Sequence, residues 1–237
     1  KITGRIESGA YISMTEQAIT EAGIRFRKAE RTYTIPGGQK YCETEHSKVE
    51  RDWSNAAFFL CLGAFSDKGI TVNDMNLESA QGDKKFIQIL QQFGASVYIK
   101  DKADGEDSSS ETTDKGICSI TVQKAPLHGC EIDASEIPDL VPITSVLAAG
   151  AVGDTRIYGA ARLRYKESDR LQTTVALLRD LGGSAEETAD GLVIHGTGNL
   201  IGGTADAVND HRIAMSAAVA ACYSDKEITI QGCECTN

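Results

Sequence analysis

Two short charged segments of the sequence combine residue types that can bind anions. They are Lys166-Glu167-Ser168-Asp169-Arg170 and Asn209-Asp210-His211-Arg212, and each directly precedes a predicted helix. A cation in the first turn of a helix opposes the helix dipole, unless an anion lies opposite it. Free backbone N–H groups, the dipole and a guanidinium would then act on the same ligand. Arg170 and Arg212 therefore favour a multiply charged anionic ligand; a solvated helix start is the alternative interpretation of each segment.

Acidic residues occupy the same helix starts and two others. Asp52 and Asp139 each precede a segment with an apolar helical pattern. Asp is an ordinary N-cap, since its carboxylate accepts hydrogen bonds from backbone N–H groups that have no partner within the helix. Capping alone explains Asp52, Asp169 and Asp210, but it does not explain the neighbouring cations.

Two units recur along the chain and must position these helix starts. In the first unit an amphipathic helix ends at a glycine that a strand follows, as at Gly23, Gly94 and Gly182. Glycine at that point suits the left-handed conformation that ends many helices. In the second unit a helix rich in small residues leads into a short strand rich in β-branched residues. Alternating helices and strands predict an α/β fold built from repeats.

Composition excludes several classes of protein. The 237 residues carry a net charge of −10, which argues against general binding to nucleic acid or to a membrane surface. The sequence contains no apolar run of the ~20 residues needed to cross a bilayer. Seven scattered cysteines predict a reduced, cytoplasmic protein rather than a disulfide framework. Cys233 and Cys235 have no second ligand pair at zinc spacing, so we expect no metal and no other cofactor.

The two charged segments, with the Ile213-Ala214-Met215 that follows the second, resemble the C-terminal signatures of the 5-enolpyruvylshikimate-3-phosphate synthases. Three weaker matches agree with this resemblance, which covers essentially all 237 residues. They are Glu50-Arg51-Asp52-Trp53-Ser54, Ile137-Pro138-Asp139 and Glu7-Ser8-Gly9-Ala10-Tyr11-Ile12.

The resemblance implies the enolpyruvyl transferase fold, an inside-out α/β barrel whose two similar domains are each built from three βαβαββ units. Residues 1–50 would then be the last segment of one domain, and residues 51–237 most of the other. The family's N-terminal half and its terminal lysine would lie outside this chain, so we expect the chain alone to be inactive.

The resemblance also implies an activity, the transfer of the enolpyruvyl group from phosphoenolpyruvate to the 5-hydroxyl of shikimate 3-phosphate. Both substrates are small anions, and the full-length protein is expected to be a cytoplasmic monomer. The residues that match the family's motifs carry the following implied roles. Asp139 and Glu167 would be catalytic; Lys166, Asp139, Ser8 and Tyr11 would bind shikimate 3-phosphate; Arg170, Arg212 and His211 would bind phosphoenolpyruvate. Arg162 stands where many relatives carry Asn, and its role stays open.

Two other functions compete with this one. The related enolpyruvyl transferase that acts on UDP-N-acetylglucosamine shares the fold and the donor, but lacks the two charged signatures. A non-catalytic α/β module that only binds an anion is the alternative from a different class.

Overall fold

The computed structural model describes residues 1–4, 6, 9–42, 49–101 and 116–236. Its helices and strands alternate, which confirms the α/β prediction. The helices are α1 (Gly9–Glu21), α2 (Trp53–Gly63), α3 (Phe86–Gln92), α4 (Val141–Ala149), α5 (Arg170–Asp180) and α6 (His211–Ala221). The strands are β1 (Arg27–Ala29), β2 (Thr32–Thr34), β3 (Ile70–Asn76), β4 (Ser96–Asp101), β5 (Ile117–Gln123), β6 (Glu131–Asp133), β7 (Val152–Tyr158), β8 (Ser184–Glu187), β9 (Leu192–Thr197), β10 (Gly203–Asp206) and β11 (Ile228–Gln231).

The described residues contain one complete βαβαββ unit, formed by β6, α4, β7, α5, β8 and β9. Its sheet has the strand order β6-β7-β9-β8, in which β6 runs parallel to β7 and the remaining pairs are antiparallel. The elements α2, β3, α3, β4 and β5 follow the same order and pair as β3-β5-β4. The strands β10 and β11 flank α6 and pair in parallel, as β6 and β7 do around α4. These matching sheets confirm the repeat.

The glycines that end the amphipathic helices have the predicted backbone conformation. Gly23, Gly94 and Gly182 have φ values of 75°, 90° and 80°. A Cβ at Gly182 would also lie 2.8 Å from the Ile201 side chain, so both backbone and space require glycine there. Each glycine turns the chain from a helix into the following strand.

The core lies around α4, and all nine residues of that helix are buried. The helix packs against α2, α5 and α6. The other helices rich in small residues, α2 and α6, also bury most of their residues. A helix that is apolar on most sides needs such a surrounded position. No helix within the described ranges is long and apolar enough to cross a membrane.

Three of the predicted caps are observed. Asp52 accepts from the backbone N–H of Ser54 at 2.8 Å, Asp169 from that of Gln172 at 3.2 Å, and Asp210 from that of Arg212 at 3.0 Å. Asp139 makes no capping hydrogen bond, because it lies in a 3-10 turn (Pro138–Leu140) before α4. Its carboxylate is therefore available for other partners.

Candidate active site

The carboxylate of Asp139 is the centre of a cluster of charged groups from four parts of the chain. Its Oδ1 lies 2.8 Å from Arg170 Nη1 and 3.3 Å from Lys166 Nζ. Its Oδ2 accepts a hydrogen bond of 3.1 Å from the Tyr11 hydroxyl and lies 3.8 Å from Arg212 Nη2. Four residues from three separate sequence motifs thus meet at one carboxylate.

The surroundings of Asp139 decide its charge. Burial by itself raises the pKa of this carboxyl, but Arg212, Lys166 and Arg170 outweigh burial and hold the pKa below its ordinary value. Asp139 is therefore ionised at neutral pH and suited to orient a hydroxyl.

Arg170 is fully buried and is bound by three carboxylates of the chain. Its Nε and Nη2 donate to Asp210 at 2.8 and 3.2 Å, its Nη1 to Asp139 at 2.8 Å, and its Nη2 also to Glu167 at 2.6 Å. The sequence interpretation put a ligand anion opposite this guanidinium. In the structure the chain's own carboxylates lie there, and Glu167, which is half exposed, is the one that a ligand could displace most readily.

Arg212 is also buried, but its hydrogen bonds are weaker. Its Nη1 donates to the Asp139 backbone oxygen at 3.4 Å and its Nη2 to the Ser54 hydroxyl at 3.2 Å. Its Nε is buried and has no hydrogen-bond partner within the described part of the chain. A guanidinium carries five donor hydrogens, so Arg212 keeps capacity for a further acceptor. It is the cation of the cluster best prepared to bind an anion.

Lys166 and Glu167 lie at the exposed side of the cluster. The Lys166 side chain is 34% exposed beside Asp139, and the Glu167 side chain is 50% exposed beside Arg170. Both groups can therefore contact solvent or a ligand while they remain in the charged network.

The structure does not bring every predicted residue into this cluster. His211 precedes Arg212 in α6, yet it lines an apolar groove between α2 and α6 together with Phe59 and Met215. Within the described ranges no hydrogen bond or ion pair joins His211 to the cluster. Ser8 lies outside the described residues. Tyr11 belongs to the cluster through Asp139, and burial, followed by the charge of Asp83, raises the pKa of its hydroxyl.

Three features of the cluster were not predicted from the sequence. Asp210 caps α6, as predicted, but it also holds Arg170, and burial of its carboxyl is outweighed by this partner, so that its pKa is lowered. The Ser54 hydroxyl donates to Asp52 at 2.8 Å and accepts from Arg212. Asp83 is buried, with 7% of its surface exposed, and interacts electrostatically with Asp139 and Arg212. Asp83 precedes α3 as Asp139 precedes α4, a signal in the sequence that could have identified it.

The geometry combines groups that can bind anions with an oriented carboxylate. Lys166 and Arg212 have donor capacity toward anionic groups, Asp139 can accept a proton or a hydrogen bond from a hydroxyl, and Glu167 is an accessible carboxylate. Such a set can bind an anionic group and hold a hydroxyl beside it.

Comparison with known proteins gives a consistent result. The family model of EPSP synthase (3-phosphoshikimate 1-carboxyvinyltransferase) matches residues 1–237. The 3-phosphoshikimate 1-carboxyvinyltransferase of Clostridium acetobutylicum is 40% identical over 237 residues, which are 100% of this chain and 51% of that protein. The one of Methanocorpusculum labreanum is 37% identical over 234 residues, 99% of this chain and 51% of that protein. The chain thus spans about half the length of the curated relatives it matches.

Solved structures share the fold. EPSP synthase from Acinetobacter baumannii has a TM-score of 0.78 and 28% identity, and the match covers 100% of this chain and 52% of that one. The enolpyruvyl transferase NikO from Streptomyces tendae has a TM-score of 0.70 at 16% identity, over 98% of this chain and 50% of that one, and indicates the fold alone. The chain has the α/β fold that these enolpyruvyl transferases share, and from its sequence motifs, its repeats and its match along the whole length it belongs to the EPSP synthase (3-phosphoshikimate 1-carboxyvinyltransferase) family.

Proposed function

We propose that this chain forms part of an enzyme that transfers the enolpyruvyl group of phosphoenolpyruvate to the 5-hydroxyl of shikimate 3-phosphate. The observation that carries the proposal is the convergence of Lys166, Arg170, Arg212 and Tyr11 on Asp139, in a chain of the EPSP synthase family. The chain spans about half of its relatives, so the activity belongs to the complete protein.

On the acceptor side, Asp139 orients the 5-hydroxyl and Lys166 binds shikimate 3-phosphate. The hydrogen bond from Tyr11 supports this assignment, because it fixes the Asp139 carboxylate from the direction of α1. Ser8 is assigned to the same substrate from its sequence motif. A carboxylate held by three cations is a weak base, so we assign Asp139 mainly to orienting the hydroxyl. Substrate anions that draw Lys166 and Arg212 toward themselves would strengthen it as a base.

On the donor side, Arg212 and Arg170 bind phosphoenolpyruvate, with His211 at the edge of the site. The unpaired Nε of Arg212 supports a direct contact with an anion. Arg170 gains a donor for the substrate when Glu167 leaves its Nη2, and that movement frees Glu167 for proton transfer. Binding of the donor and release of the acid–base residue would thus be one event.

The reaction proceeds by addition followed by elimination. The 5-hydroxyl oxygen bonds to C2 of phosphoenolpyruvate, while its proton leaves toward Asp139 or solvent. Glu167, which takes up a proton from solvent once it has left Arg170, gives that proton to C3. The tetrahedral intermediate then loses phosphate from C2, and C3 returns a proton to Glu167 as the double bond re-forms. Fixed cations around the phosphate and carboxylate stabilise the charge that develops.

Residues 1–50 are assigned to one domain, and residues 51–237 are assigned to the other. Within the described ranges, no strand of residues 1–42 pairs with a strand of residues 49–236, which supports a boundary between them. We also assign the complete protein to the cytoplasm as a monomer. All seven cysteines are free, which suits a reducing compartment.

A hybrid protein tests the function. This chain would replace the matching segment of the Clostridium acetobutylicum relative, and phosphate release would be measured with phosphoenolpyruvate and each candidate acceptor. We expect turnover with shikimate 3-phosphate, none with UDP-N-acetylglucosamine, and loss of turnover in the Asp139→Asn hybrid. The 237-residue chain alone should be more than about tenfold slower, because both reactants must be held together. A folded hybrid that is inactive with shikimate 3-phosphate would refute the proposal.

A further inference from the structure

Asp83 is a buried carboxylate beside the cluster that has no assigned part in the reaction. It lies in the 3-10 turn Gly82–Lys85, and only 7% of its surface is exposed. A Cβ at the preceding Gly82 would lie 3.1 Å from Ala10 Cβ and 3.2 Å from the Glu136 backbone oxygen. The turn therefore packs closely between α1 and the segment before Asp139. This packing holds Asp83 near the cluster.

Ionisable groups from five parts of the chain interact electrostatically with Asp83. They are Tyr11 of α1, Asp52 at the start of α2, Asp139 before α4, Lys166 before α5 and Arg212 of α6. No described residue donates a hydrogen bond to the Asp83 carboxylate. A buried carboxylate without donors and next to another carboxylate favours the protonated form. Burial, and next the charge of Asp139, raise its pKa to about 6.

The ionised groups of the cluster carry a net negative charge, which opposes the binding of an anion. The cations Lys166, Arg170 and Arg212 face the carboxylates of Asp83, Asp139, Glu167 and Asp210, which leaves one negative charge in excess even without Asp52. An anion added to this set increases the excess. Neutralising one of the carboxylates would therefore favour binding.

The ion pairs with Arg170 indicate which carboxylate is neutralised most readily. Asp139, Glu167 and Asp210 each form a direct ion pair with Arg170, at 2.8 Å or less, in which the charge of the carboxylate is offset by the guanidinium. Asp83 has no such partner among the described residues. It is the carboxylate that gives up its charge most easily.

We propose that Asp83 is a further residue of the anion site and takes up a proton when an anion binds against Arg212, so that ligand binding is coupled to protonation. With phosphoenolpyruvate as the ligand, this inference rests on the proposed function. The coupling itself requires only an anion. A dianion a few ångströms away raises the pKa of a carboxyl by about one unit or more in a medium of effective dielectric constant ~20. Affinity should then fall about tenfold from pH ~5.5 to pH ~8, as Asp83 ionises in the free protein.

Sulfate is the first probe, because its own charge does not change in this pH range. Binding of sulfate to the 237-residue chain would be measured by calorimetry in buffers that differ in ionisation enthalpy, which gives the number of protons taken up. We expect uptake of a fraction of a proton near pH 7 by the wild type and its loss in Asp83→Asn. The difference between the two proteins removes the contributions of other groups, including His211.

Asp180→Asn is the matched control, because Asp180 is exposed and ends α5 roughly 15 Å along that helix from Arg170. It should behave as the wild type does. Equal proton uptake by wild type and Asp83→Asn, or no sulfate binding at any pH, would overturn the inference. If Asp83→Asn does not fold, infrared difference spectra of the wild type decide the question. Sulfate should produce a protonated-carboxyl C=O band, which histidine cannot give, and absence of the band refutes the coupling.

Phosphoenolpyruvate as the second probe separates this inference from the proposed function. Sulfate binding with Asp83-dependent proton uptake, without binding of phosphoenolpyruvate, would support the coupling and count against the proposed ligand. Binding of phosphoenolpyruvate with identical proton uptake in wild type and Asp83→Asn would support the ligand and refute the coupling.

Discussion

The Tyr11 hydroxyl donates a hydrogen bond of 3.1 Å to Asp139 Oδ2 across 128 residues of sequence. It connects α1, in the segment assigned to one domain, with the turn before α4, in the segment assigned to the other. Segments assigned to two different domains therefore meet at one carboxylate of the candidate site.

Removing this hydrogen bond should weaken binding of the acceptor. In the hybrid protein, Tyr11→Phe should raise the KM for shikimate 3-phosphate about twofold to tenfold, the effect of a hydrogen bond worth roughly 0.5–1.5 kcal/mol. The KM for phosphoenolpyruvate should change less. Tyr98→Phe, at an exposed position, is the control. A larger effect on phosphoenolpyruvate than on shikimate 3-phosphate would contradict the assignment of Tyr11.

Replacing Arg170 and replacing Arg212 should lower the free energy of unfolding by different amounts. Arg170→Ala leaves the buried carboxylates of Asp210 and Asp139 without their partner, and we expect it to lower the free energy of unfolding by about 3–5 kcal/mol. Arg212→Ala should destabilise less, because its hydrogen bonds are few and long. Urea unfolding of the 237-residue chain measures both. Arg164→Ala, which removes partly exposed ion pairs, should cost at most about 1 kcal/mol.

Binding of phosphoenolpyruvate should depend strongly on Arg212. In the hybrid, Arg212→Ala should raise the KM for phosphoenolpyruvate by the equivalent of about 2–5 kcal/mol, the usual cost of losing a desolvated charge-assisted contact. The KM for shikimate 3-phosphate should be less affected. Equal weakening of both substrates would show that Arg212 supports the cluster as a whole and does not bind the donor.

Asp139 and Glu167 should act on different atoms. Asp139→Asn and Glu167→Gln should each lower kcat by about 10²–10⁴ with the fold intact, as expected for a positioned acid or base. The distinguishing measurement is exchange of the C3 hydrogens of phosphoenolpyruvate with deuterated solvent during turnover. Glu167→Gln should suppress exchange at the proton-transfer step, whereas Asp139→Asn should slow it only through slower formation of the intermediate. Normal exchange in Glu167→Gln would refute its role.

Asp83 should lower stability at neutral pH. Its pKa is raised from 3.8 to about 6 in the folded chain, so the folded state favours the protonated carboxyl. That stabilisation is complete below the unfolded pKa and is lost as the pH rises through about 6. Asp83→Asn, which stays neutral, should therefore increase the free energy of unfolding at pH ~7.5 by up to about 3 kcal/mol relative to its effect at low pH.

The measurement is urea unfolding of wild type and Asp83→Asn across this pH range. Asp180→Asn should show no such trend, since that carboxylate is exposed. A difference between wild type and Asp83→Asn that does not change with pH would mean that the Asp83 pKa is ordinary in the folded chain.

The repeat and the helix starts could be read from the sequence because they depend on neighbouring residues. The glycines at 23, 94 and 182 end helices through their backbone freedom, and Asp52, Asp169 and Asp210 cap helices through contacts two or three residues away. The α/β class followed from the same local patterns. The motifs that carry the family resemblance are also contiguous in sequence.

Which charges face one another was decided by the tertiary structure. The sequence placed cations at helix starts but could not show that Asp139, Glu167 and Asp210 surround Arg170, because packing of α4 against α5 and α6 brings these residues together. It gave no sign that Arg212 would keep a buried donor free while Arg170 would not. The position of Asp83 before α3 could be read from the sequence, but its burial and its electrostatic interaction with Asp139 follow from the packing of chain segments more than fifty residues apart. Electrostatic interactions depend on distance and burial in space, and in this protein the packed helices set both.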